Sequence, residues 1–167
     1  MKKLRIIAAG GTFDKRYNPL NGALHFTTSH IQAVLLRCRL NAAVTVTELP
    51  LLDSLDMVDT DLQRVLDACV AATENALVVI HGTDTMPETA QVLGQYFATV
   101  ESHKTVVITG AMVPYDIAGS DALFNLGFAA AATQTLAAGV YITMGAEVFS
   151  WDNVRKDRAA GRFLKSR

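Results

Sequence analysis

Apolar residues along this chain follow two alternating rhythms. Short continuous runs rich in β-branched residues occur at "LRIIAA" (4–9), "AVTVTEL" (43–49), "ALVVI" (76–80), "TVVITG" (105–110) and "GVYITM" (139–144). Each ends near Gly or Pro and has the length and composition of a strand. Between them, apolar positions recur every three to four residues, the spacing of one helical face. In "SHIQAVLLRC" that face carries Ile31, Val34, Leu35 and Cys38; in "DLQRVLDACV" it carries Leu62, Val65, Leu66, Cys69 and Val70. "TMPETAQVLGQYF" opens in a capping-box pattern, with Thr85 as N-cap, Pro87 in the first turn and Glu88 three residues on. "SDALFNLGFAAAATQT" supplies a fourth helix with Ser120 as its expected N-cap.

Strands alternating with helices predict a single α/β domain over residues 1–167. Its expected form is a doubly wound, flavodoxin/Rossmann-like domain: a mostly parallel sheet, helices on both faces, right-handed crossovers. One segment breaks the rhythm. "FDKRYNPLNGALHFT" (13–27) follows the first strand and exceeds the usual βα connection of about 2–6 residues. Such a segment is expected to be a lid or binding loop.

Composition narrows the classes. Half of the residues are hydrophobic and 19% are charged, as in a folded globular protein. A net charge of −1 draws the chain to neither nucleic acid nor membrane, and the basic stretch from Arg155 to Arg167 is expected to be a solvated tail. Cys38 and Cys69 form neither a CxxC nor a metal spacing, which points to buried thiols in a reducing compartment. His25, His30 and His103 are scattered, so no metal site and no cofactor are expected. "MKKLRIIAAGG" is interrupted by Arg5 and too short for a signal sequence. No run approaches the roughly 20 apolar residues of a membrane span. The expectation is a cytoplasmic protein.

Open α/β sheets bind ligands outside the carboxyl ends of their strands. The segments after the five strands hold Gly10-Gly11-Thr12, then Ser54 and Asp56, then His81-Gly82-Thr83-Asp84-Thr85, then Gly110-Ala111-Met112, then "GAEVFSWDNVRKD" with Lys156. A threonine hydroxyl becomes a nucleophile when a base takes its proton, and a lysine can be that base. Backbone N–H groups in Gly-flanked turns can stabilise an oxyanion. Asp84 can hold a substrate ammonium group. Together these parts suit acyl transfer such as amide hydrolysis. His81 reads as a hydrogen-bonded strand-end histidine rather than a catalyst, and Trp151 as a candidate subunit contact.

"AAGGTF" and "HGTDTMPETA" closely resemble the two signature segments of the bacterial-type L-asparaginase family. "DSLDM", "TGAMVP" and "DNVRKD" are similar to further family segments, in the same order. The resemblance implies hydrolysis of L-asparagine to L-aspartate and ammonia. It implies that Thr12 is the nucleophile, Thr83 the second catalytic threonine, Asp84 the adjacent substrate-binding aspartate and Lys156 the lysine that works with them. Ser54 matches a serine that binds the α-carboxylate, Tyr17 the mobile-loop tyrosine, and Ala111 a position lining the amide pocket; Gly11 belongs to the first signature. Attack by Thr12 and direct attack by a water activated through Thr83 and Lys156 both remain open.

Two departures accompany the resemblance. The family's smaller C-terminal domain, whose residues complete a neighbouring subunit's site, is expected to be absent. Leu55 stands where many members have a substrate-contacting glutamine, which removes a polar contact worth roughly 1–3 kcal/mol. The expected assembly is a homo-oligomer, dimer or tetramer. The alternative function is a catalytically weak amino-acid-binding or regulatory module that keeps the pocket. A nucleotide binder is disfavoured, because "AAGGTF" is not GxGxxG and no GxxxxGK[ST] occurs.

Overall fold

The computed structural model describes residues 2–167. Strand β1 (Leu4–Gly10) runs into a 3₁₀ turn (Thr12–Asp14) and an antiparallel hairpin of β2 (Arg16–Tyr17) and β3 (Leu24–His25). There follow α1 (Ile31–Cys38), β4 (Val44–Leu52), α2 (Asp59–Ala71), β5 (Ala76–Ile80), α3 (Met86–Thr99), β6 (Thr105–Thr109), α4 (Ala122–Thr135), β7 (Gly139–Met144) and β8 (Glu147–Ser150). A second hairpin, β9 (Arg155–Asp157) with β10 (Arg162–Leu164), closes the fold.

The main sheet has the order β4-β1-β5-β6-β7-β8. Its first five strands are parallel, and β8 turns back antiparallel on β7. This is the doubly wound arrangement expected from the alternation. Its topological switch point lies between β1 and β5, where such sheets open a crevice.

Period-two side-chain alternation divides the core. Ile7, Leu77, Val79, Val106 and Ile108 pack with Val65, Leu66 and Cys69 of α2 and Met86, Ala90 and Leu93 of α3. Leu4, Ile6, Val78, Ile80 and Val107 face the other way, toward Ile31 and Val34 of α1 and Ala122, Leu126 and Ala129 of α4. Burial on both faces is why β5 and β6 read as continuous apolar runs.

Several local expectations are corrected. The 13–27 segment is not irregular throughout. Asn18 closes a turn by donating its N–H to Ala23 and accepting from Gly22 N–H, both at 2.8 Å. Gly22, at φ 72°, supplies the left-handed residue there. The Thr85 hydroxyl does not cap α3; it donates to the Ser54 carbonyl at 2.9 Å, tying the β4–α2 loop to this helix. Asp121 occupies the N-cap of α4, one residue after the expected Ser120, whose hydroxyl accepts the Ala122 N–H at 3.1 Å. Val70 is exposed rather than core-facing, because α2 turns it past the contact with α3. Cys69 is fully buried and burial pushes its thiol up to about 12, whereas Cys38 is only half-buried. The basic stretch after Arg155 is not a solvated tail: it forms β9 and β10, and Phe163 is buried.

Candidate active site

Three loops nest at the switch point. Gly10 and Gly11 leave β1 at φ 103° and 76°. A Cβ on Gly11 would overlap the backbone of Gly82, and a Cβ on Gly82 would overlap Ser54. The loops after β1, β4 and β5 therefore meet with glycine as the only residue that fits at both contacts. Gly11 N–H donates to the Leu52 carbonyl at 2.8 Å, which fixes the entry to the 3₁₀ turn. Thr12 opens that turn and is half-buried. Phe13, the next residue, is fully buried in the α1/α4 side of the core and anchors it.

Lys156 reaches this place from the far end of the sequence. Its ammonium donates to Thr83 Oγ1 at 2.6 Å and to Asp84 Oδ1 at 2.7 Å. The lysine side chain is only 7% exposed, so its charge is balanced chiefly by Asp84. Arg158, mostly exposed, lies 3.8 Å from the same carboxylate oxygen and donates to the Asp84 carbonyl at 3.4 Å. An open cleft of about 740 Å³ reaches Asp84 and Lys156 between Glu88 and Gln91 of α3 and Arg155 and Arg158 of the hairpin; Thr12 is not part of its wall.

The hairpin is held from beneath. Phe163 of β10 lies 6.3 Å from Phe149 of β8, both nearly fully buried. Asn153 Oδ1 accepts the N–H groups of Ser166 and Arg167 at 2.9 and 3.0 Å. Trp151, expected at a subunit contact, lies half-buried within this chain against Gly94 of α3.

The remaining expected residues fall into place unevenly. Ser54 is 2% exposed and its hydroxyl has no partner among the described residues. Ala111 is fully buried in the core beside α4. Tyr17 stands on β2, more than half exposed, and its hydroxyl makes no hydrogen bond to the Thr83–Asp84–Lys156 set among the described residues. Leu55 is exposed, its N–H held by Asp53 Oδ1 at 3.1 Å. His81 is fully buried, with Nε2 2.9 Å from Thr89 Oγ1 and Nδ1 2.8 Å from the Gly82 carbonyl. Burial holds its pKa below the usual histidine range, which fits a neutral post under the loop.

Three contributors were not anticipated. Asp53, next to Ser54, pairs with Lys15 across the mouth of the loop. Burial raises the Asp53 carboxyl, but hydrogen bonds from Lys15 and the Leu55 N–H, with the charges of Lys15 and Lys156, outweigh it and leave it below the usual range. Asp121 accepts the N–H groups of Met112 and Val113, each at 3.0 Å, and so pins the loop after β6. Asn125 joins that loop to the next, donating to the Gly110 carbonyl at 3.0 Å and accepting the Gly145 N–H at 3.2 Å. A lone amide in the otherwise apolar "LFNLGFAA" was the signal for it. Among the described residues, no group of three or more His, Cys, Asp or Glu side chains is arranged to hold a metal ion.

Comparison with known proteins bears on this geometry. The family described as "Asparaginase, N-terminal" matches residues 3–162. One glutamyl-tRNA(Gln) amidotransferase component, from Methanococcus vannielii, is 29% identical over 153 residues, 89% of this chain and 35% of that protein. L-asparaginase 1 of Escherichia coli is 37% identical over 79 residues, 46% of this chain and 23% of that protein. The crystal structure of L-asparaginase I from Vibrio cholerae superposes with a TM-score of 0.87 at 25% identity, covering 98% of this chain and 51% of that one. The chain thus spans about a third or less of these curated relatives and about half of the solved structure.

Proposed function

The chain belongs to the asparaginase family, matching its N-terminal domain, and from that premise we propose that it hydrolyses the side-chain amide of L-asparagine to L-aspartate and ammonia. The observation that carries this reading is the Lys156 ammonium bridging Thr83 and Asp84, directly after Gly82, whose backbone packs on Gly11 at the switch point of the sheet. In the proposed reaction, the Thr12 oxygen attacks the amide carbon, the C–N bond breaks, and ammonia leaves with the proton that the threonine gave up. Water then cleaves the resulting ester, restoring the hydroxyl and releasing aspartate. Thr83 and Lys156 carry the proton, and Lys156 acts as base once it has lost its own. The buried, unpartnered Ser54 hydroxyl is suited to the substrate α-carboxylate, and the free oxygen of Asp84 to its ammonium group.

The proposal includes one domain over residues 1–167, a small-molecule substrate, no cofactor and a cytoplasmic setting. No helix among the described residues is long and apolar enough to cross a membrane. The proposed assembly is a homodimer or homotetramer. Ammonia release from L-asparagine and L-glutamine, with Thr12→Ala and Thr83→Val beside the wild type, tests the reading. Saturable release that both substitutions abolish supports it; none from the wild type overturns it.

A second reading has one observation in its favour. Asp84, the carboxylate suited to a substrate amine, is already engaged by Lys156 and approached by Arg158. A module that binds the amino acid without turning it over would show L-aspartate raising the melting temperature while no ammonia appears.

A further inference from the structure

Two residues beyond Thr12 lies an acid that the chemistry above does not use. Asp14 is fully buried. Its Oδ1 accepts the Ser29 hydroxyl at 2.9 Å and the His30 backbone N–H at 2.8 Å. Its Oδ2 is buried with no partner among the described residues. One carboxylate therefore joins the 3₁₀ turn after β1 to the start of α1 and closes the intervening segment, with the β2–β3 hairpin and Tyr17 on it, into a loop.

The other side of the turn is also tied. Gly11 N–H is held by Leu52, and the Phe13 carbonyl accepts the Tyr115 N–H at 3.4 Å. Thr12 thus stands between two fixed points, Gly11 on the β4 side and Asp14 on the α1 side. A single 3₁₀ turn has little stability of its own, so its geometry depends on those ties.

The charged surroundings are specific. Arg16 of β2 donates to Asp116 Oδ2 at 2.9 Å and lies 3.1 Å from His30 Nδ1. His30 Nε2 is 3.4 Å from Asp116. Glu48 of β4 adds a like charge toward Asp14, and Arg16 an opposite one. Burial raises the Asp14 carboxyl to about 6, further than the His30 and Ser29 hydrogen bonds pull it down.

We propose that Asp14 is a positioning residue for Thr12: its ionised carboxylate clasps the start of α1 and thereby fixes the turn on which the threonine hydroxyl stands. The inference rests on the threonine-based reading above. A neutral carboxyl accepts hydrogen bonds less strongly than a carboxylate, so the clasp loosens as Asp14 takes up a proton.

The test is kcat and KM for ammonia release from L-asparagine across the acid range, on wild type, Asp14→Asn and Ser29→Ala. In the wild type, kcat is expected to fall through an inflection near pH 6, with KM little changed. Asp14→Asn should lower kcat about tenfold at pH 8, within the loss that a small misplacement of a reacting group causes, and should lack that inflection. Ser29→Ala removes a hydrogen bond that favours the ionised form, so its inflection should move to higher pH. That variant keeps the acid and serves if Asp14→Asn fails to fold. Hydrogen exchange should show faster labelling of the peptide spanning 12–31 in Asp14→Asn, with β5 and β6 unchanged. Ample ammonia release with the same kcat and the same inflection in Asp14→Asn, or an unmoved inflection in Ser29→Ala, overturns the positioning role alone. No release from the wild type overturns the function reading and this inference together.

Discussion

Lys156 is the residue on which most of the site's electrostatics converge. Replacing it with Met removes the side-chain donor to Thr83 and leaves Asp84 facing the exposed Arg158. Lys156→Met is expected to lower kcat for ammonia release by about 10²–10⁴, the usual worth of a positioned acid or base, and steady-state kinetics will measure it. Asp14 leaves a different signature, in stability. Its folded pKa of about 6 lies above the ordinary aspartate value of 3.8, so the folded state holds its proton longer than the unfolded chain does. Stability should therefore fall as pH rises from about 4 to about 6, by on the order of 3 kcal/mol. Urea unfolding at both ends of that window should show the slope, and Asp14→Asn should flatten it. Thr83, Asp84 and Lys156 were legible as residues, because "HGTDTM" and "DNVRKD" are distinctive. Their contact was not legible: Lys156 and Thr83 lie 73 positions apart and only the folded sheet brings them together. Asp14 was invisible for another reason. In "FDKRYN" it looks like one more polar loop residue, and its partners Ser29 and His30 lie beyond the hairpin.

At the level of elements, two contacts away from the chemistry should be felt. Gly94 sits within α3, where alanine would ordinarily gain about 1 kcal/mol of helix propensity. Here its Cβ would enter the Trp151 ring, and overpacking of about 1–3 kcal/mol should win. Gly94→Ala is expected to lower the melting temperature, shift the emission of the protein's single tryptophan, and weaken activity by displacing the turn that leads to Lys156. Lys104 closes the end of α2, donating to the carbonyls of Cys69, Val70 and Ala72 at 2.8, 2.7 and 2.7 Å. Lys104→Met leaves those groups without a charged donor and should cost about 1.5–3 kcal/mol in chemical denaturation, with ammonia release unchanged. The five parallel strands and four helices could be read from apolar periodicity because both faces of the sheet are covered. β2, β3, β9 and β10 could not. Each has only two or three residues, too few for alternation to register, and "RKD" carries three charges. The Thr85 cap failed because tertiary contact with Ser54 offered its hydroxyl another acceptor.

Across the whole molecule, ligand binding should be visible as stability. If L-aspartate occupies the switch-point site, a hundredfold excess over its Kd should add about 2.7 kcal/mol. For a domain of this size that is a rise in Tm of roughly 5–10 °C, measurable by thermal shift, and nucleotides should give none. The doubly wound architecture was legible from element order alone, and that order also predicts the edge on which a site is expected. The antiparallel return of β8 and the closing hairpin were not, since nothing in "EVFS" marks a reversal of direction. That return determines when the site can come into being. Thr83 and Asp84 belong to the first half of the chain or its midpoint, and the sheet's last parallel strand ends at Met144, twelve residues before the lysine that joins them. As the polypeptide leaves the ribosome, its parallel scaffold is complete while Asp84 still lacks Lys156. A nascent chain stalled before β9 would carry Thr83 and Asp84 on a finished sheet and be unable to make the lysine contact that bridges them.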